Sequence, residues 1–147
     1  MAQIHPALVH FPIALLIAGI VLDLASGLGW VHARGLRSFA LWSTTLGVLA
    51  MFPAIGSGLL AQAFQPAPTE NVQALINLHE RINYLILVLF GILLTWRWDA
   101  RGDDGAPLPP AYLAASLIGL LLLIVGGYFG GRLVYEYGMG FTAPPAP

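Results

Sequence analysis

Four long apolar runs, separated by short stretches rich in Pro, Gly, Arg and Gln, organise this chain. They cover roughly residues 8–30, 36–64, 72–98 and 110–134. A helix needs about 20 apolar residues to cross the hydrocarbon core of a bilayer, and each run is long enough. Pro6 and Pro12 fall near the start of the first run, where a helix tolerates proline. Pro53 lies inside the second, with Gly56 and Gly58 after it, which predicts a kink or an early end there. Residues 65–68 and 101–110 read as loops by their Pro, Gly and Asp content. Residues 142–147 read as an extended, loosely held tail. The expected fold is all-α: one integral membrane domain over 1–147, a four-helix bundle running up-down-up-down.

Composition supports this reading. Apolar residues make up 58% of the 147 and charged residues 9%, with a mean hydropathy of +0.79. Such a surface belongs in lipid and not in water. Six arginines and no lysine leave a net charge of −1, no basis for nucleic-acid binding. The absence of cysteine excludes disulfides, iron–sulfur clusters, thiolate chemistry and covalent haem attachment. The first ten residues carry no Lys or Arg, and Asp23 stands late in the first run, so a retained helix is expected rather than a removed leader.

Arginine placement predicts the orientation. Arg34, Arg37, Arg97 and Arg101 are assigned to one side, Arg81 and Arg132 to the other. The majority side is expected to be cytoplasmic, so both termini face outward, into the periplasm or its equivalent. Trp30, Trp42, Trp96 and Trp98 fall near the same cytoplasmic ends, as an aromatic belt would.

With alternating spans, His5 and His10 at the mouth of helix one and His79 early in helix three meet on the outer side. The glycine-rich end of helix four (Gly126, Gly127, Gly130, Gly131) and residues 53–58 of helix two arrive there too. His32 lies in the opposite loop. Neutral imidazole is the commonest metal ligand, and two histidines on facing helices can bind haem iron from both sides, leaving no open position. The glycines would give a flat macrocycle a smooth face, or serve as a small-xxx-small packing surface for another helix. His5 and His10 are about 140° apart on an ideal helix, and Pro6 suggests that His5 precedes the helix and folds back. His10 with His79 is therefore the expected axial pair, with His5 supporting it or replacing one ligand. Asn83, four residues after His79, could orient the imidazole. Arg132 could neutralise a propionate or an acidic lipid, or pair with Glu136. Met139 is a further possible ligand. Copper on His5, His10 and His79 is the alternative metal reading, and interfacial anchoring with no cofactor is the bland one. Asp23, inside the membrane, is expected to bond to Ser43, Thr44 or Thr45 or to pair with Arg37. Hydrolase motifs are absent.

The block from His5 to Leu15 (HPALVHFPIAL), Asp23-Leu24, His79 with Asn83, and Gly130-Gly-Arg-Leu-Val-Tyr135 resemble the DUF2231 family of bacterial four-helix membrane proteins over nearly the whole chain. The family's functional description is no more than a predicted membrane protein. The resemblance implies a redox setting, since members occur near or fused to cytochrome c and Rieske-type modules. Two places depart from it: Tyr137 stands where the family often has histidine, and Gly56-Ser57-Gly58 replaces the glycine and acidic residue often seen late in helix two. The expectation is a haem b electron carrier, not an enzyme, exchanging electrons with a quinone-linked complex and a c-type cytochrome. The alternative is a cofactor-free accessory subunit of a respiratory or photosynthetic complex, with the helix-four glycines binding a partner helix.

Overall fold

Each apolar run forms one long helix, because in hydrocarbon the backbone amides and carbonyls must be satisfied within the segment. The computed structural model describes residues 4–30, 34–64, 67–102 and 107–139; His32 and the 142–147 tail lie outside them. Helix α1 is Ile4–Gly27, α2 Arg34–Ala63, α3 Glu70–Asp99 and α4 Pro110–Tyr135, with a 3-10 turn at Ala100–Gly102 after α3. All four are long and apolar enough to cross a membrane. Local chemistry sets their ends. Gly29, at φ 76°, turns the chain after α1, and the Trp30 amide reaches back to the Ala25 carbonyl at 2.8 Å. Pro110 opens α4, where its missing N–H costs nothing. Pro53 does not end α2, which continues ten residues to Ala63.

α1 packs on α2 and α4, and α3 packs on the same two helices, so α1 and α3 face each other across the bundle diagonal. Leu16, Ile20, Met51, Ile86, Phe90 and Leu123 meet in the middle. Outward positions such as Phe11, Phe39, Leu49, Phe52, Val88 and Ile124 are apolar and exposed, while Asp23, Ser43, Thr44, Arg97 and Ser116 are buried. That inversion suits a bilayer, where only the bundle interior offers polar groups a partner.

Two expectations are corrected here. α1 begins at Ile4, so His5 sits in its first turn and does not precede it. Arg97, counted above among the arginines that set the cytoplasmic side, lies within α3 and is 4% exposed, so it is no loop charge.

Candidate cofactor site

The first turn of α1 carries His5 against α2. Its Nδ1 lies 3.0 Å from the Ala54 carbonyl oxygen and 2.9 Å from Ser57 Oγ. The Ser57 hydroxyl itself donates to the Ala54 carbonyl at 2.7 Å. A carbonyl only accepts, so the contact calls for a proton on Nδ1, and in the neutral ring Nε2 then keeps its lone pair. Gly58 gives the ring its seat: a Cβ there would lie 3.0 Å from His5 Cε1.

His79 is held the same way against α4. Its Nδ1 donates to the Gly126 carbonyl at 3.1 Å, and a Cβ on Gly130 would lie 2.8 Å from its Cε1. The Asn83 amide donates to the His79 carbonyl at 2.8 Å, and its Nδ2 is 3.1 Å from Nε2 and 3.4 Å from Nδ1. An in-plane atom nearly equidistant from the two ring nitrogens would collide with ring carbons. The amide therefore lies over the ring face and leaves the in-plane lone pair of Nε2 uncommitted.

Both residues line one cavity of about 480 Å³ at this end of the bundle, within the 300–1,000 Å³ typical of cofactor sites. The walls are mostly apolar. Gln62 Nε2 donates to Glu80 Oε1 at 2.5 Å and ties α2 to α3 at the cavity edge. Gly127 and Gly131 also line it, and a Cβ on either would meet nothing within 4 Å.

The other candidates fall as follows. His10 reaches the cavity wall but is exposed, with its Nδ1 2.5 Å from the Pro6 carbonyl one turn back. Met139 lines the cavity; Arg132 and Tyr137 do not. Arg132 pairs with Glu136 at 2.8 Å and holds that carboxyl below the usual range. Among the described residues, no three His, Asp or Glu side chains gather as a metal-holding group. Gly126 and Gly130 are taken up inside the bundle against α3 and not offered to another helix.

Near the other end, a cluster escaped the sequence reading. Asp23 is 1% exposed and takes Arg97 Nε at 3.1 Å and the Tyr112 hydroxyl at 2.6 Å, while Arg97 Nη2 donates to the Arg37 carbonyl at 3.1 Å. Neither Ser43, Thr44 nor Thr45 is its partner: Thr45 Oγ1 donates to the Leu41 carbonyl and receives Trp98 Nε1 at 3.2 Å. The available signal was one acid and one base at similar depth in helices one and three. Counting Arg97 as a charge on the cytoplasmic side hid it.

Four membrane-length helices around an interior that holds an ion pair at one end and two tethered imidazoles at the other define a polytopic α-helical membrane protein. The family described as predicted membrane protein (DUF2231) matches residues 2–143, and the chain belongs to that family. Neither the curated proteins nor the solved structures give a match to it.

Proposed function

We propose that this protein binds haem b and serves in electron transfer, as a carrier or as a subunit of a membrane redox complex, with the haem between the imidazoles of α1 and α3. One observation carries the reading. Two histidines on diagonal helices each place Nδ1 on a backbone carbonyl of a neighbouring helix, and both line one mostly apolar cavity. A backbone carbonyl behind an imidazole fixes the tautomer and raises the basicity of a ligating nitrogen. The donor set fits the group: two neutral nitrogens, no thiolate, and two glycines, Gly127 and Gly131, where side chains would crowd a macrocycle. His79 and His5 are the residues that would hold the group in this arrangement, and His10 stands at the margin.

When bound, haem supplies a one-electron couple whose potential follows from the ligands, burial and nearby hydrogen bonds. Ser57 and the Ala54 carbonyl orient His5, and Asn83 and the Gly126 carbonyl orient His79. The protein would sit in a bacterial cytoplasmic membrane with this end toward the periplasm, close to a c-type cytochrome or a quinone-linked complex. With Arg97 buried, the arginine balance for that orientation is Arg34, Arg37 and Arg101 against Arg81 and Arg132.

Absorption spectra of the detergent-purified protein, as isolated and after dithionite, with a pyridine haemochrome assay, test the cofactor. A Soret band and a sharp reduced α-band at near-equal stoichiometry are expected. A folded but colourless protein from haem-replete cells would reject the reading in favour of the accessory subunit. Orientation has its own test, because the chain lacks cysteine. In intact cells Ala67→Cys should react with a membrane-impermeant maleimide and Pro107→Cys should not; the opposite pattern inverts the topology.

A further inference from the structure

His5 and His79 occupy equivalent places in a repeat that neither apolar pattern nor motif announces. Residues 74 apart match between α1 and α3: His5 with His79, the fully buried Leu16 with Phe90, and Asp23 with Arg97. Residues 72 apart match between α2 and α4: Gly47 with Gly119, Met51 with Leu123, Ala54 with Gly126, and Gly58 with Gly130. The contacts repeat with the positions. A Cβ on Gly47 would lie 2.8 Å from Leu16, and one on Gly119 would lie 3.0 Å from Phe90. His5 uses the Ala54 carbonyl and the Gly58 seat; His79 uses the Gly126 carbonyl and the Gly130 seat. Two helices lie on the diagonal, each packed on its own hairpin partner and on the partner of the other, the arrangement that a two-fold axis along the bundle would produce.

We infer that the chain is an internal duplication of one helical hairpin, and that His5 and His79 are the two equal halves of a single ligand clamp, both acting through Nε2. The ligand is one electron-accepting centre reached from both sides, such as the metal of a metalloporphyrin. The haem reading supplies only the identity of that ligand. The same axis explains why His10 is not a half of the clamp. Its equivalent, 74 residues on, is Tyr84, which is exposed and at the cavity margin like His10 itself. The equivalents of the two private orienting groups do not match: Ser57 corresponds to Phe129 and Asn83 to Val9. Each imidazole therefore has a carbonyl tether equivalent to the other's and one orienting contact of its own.

The test uses the full-length protein labelled with ¹⁵N-histidine, its signals assigned by single histidine replacements. Without porphyrin, His5 and His79 should both show a protonated Nδ1 and a bare Nε2. Cobalt(III) protoporphyrin, diamagnetic when six-coordinate, should shift both Nε2 signals together and leave that of His10 in place. Gly58→Val and Gly130→Val, which fill the two seats, should each weaken porphyrin binding by roughly tenfold or more, as displaced ligand supports do, and to a similar degree. A proton on Nε2 of either imidazole, a shift confined to one of them, or a large loss from only one glycine variant would overturn the clamp, even in a protein that binds haem. Both bare Nε2 signals in a protein that takes no haem, but shifts both on binding another metal porphyrin, would sink the haem reading and leave the clamp standing.

Discussion

Asp23→Ala and Arg97→Met should each destabilise the bundle by about 3–5 kcal/mol, because each leaves a buried charge without its partner. Arg97 and Asp23 meet at 3.1 Å with side chains 5% and 1% exposed, so water does not screen them and cannot replace the missing group. The triple variant Asp23→Leu, Arg97→Met, Tyr112→Phe should recover most of that loss. It removes both charges together with the hydroxyl that would otherwise be stranded, and burying apolar groups in place of an ion pair is often neutral. Reversible unfolding in mixed detergent micelles measures all three. Single variants within about 0.5 kcal/mol of wild type, the usual range of surface substitutions, would mean that the pair is hydrated. The pair lies 18 residues beyond the imidazoles along α1, about 27 Å at 1.5 Å per residue. Its loss should therefore change stability before it changes the cavity.

Under the haem reading, His79→Ala should abolish cofactor retention, while His10→Ala and Arg132→Ala keep it. His79 is tethered on the cavity wall, whereas His10 is exposed and Arg132 pairs with Glu136 away from it. Asn83→Leu removes only the amide over the ring and should weaken binding by about 10- to 100-fold, the usual cost of losing a group that orients a ligand. Haem stoichiometry by pyridine haemochrome after size-exclusion chromatography gives the ranking. Retention in His79→Ala with loss in His10→Ala would move the ligand to the cavity margin.

How much of this was legible beforehand depended on the kind of question. The gathering of His5, His79, Gly126 and Gly130 at one end needed only the lengths of four apolar runs and their alternation. Choosing between His5 and His10 needed the phase of α1. The two are about 140° apart, so beginning the helix at Ile4 and not beyond Pro6 decides which imidazole meets α2. No count of residues shows that the Ala54 carbonyl is within 3.0 Å. Arg97 shows the same limit. A cation near a helix end can extend to the interface or turn inward, and only the position of Asp23 across the diagonal makes the inward conformation the stable one.

The amino-acid sequence by itself determined the class of the protein, its four spans and its family, because hydrocarbon thickness and backbone hydrogen bonding leave a long apolar run one solution. It also contained the repeat, spread over separations of 72 and 74 residues. The tertiary structure alone decided which side chains are partners: which imidazole turns inward, which carbonyl fixes its proton, and which arginine answers Asp23. Those are matters of helix rotation and of a few tenths of an ångström, set by packing of all four helices at once and not by any one of them.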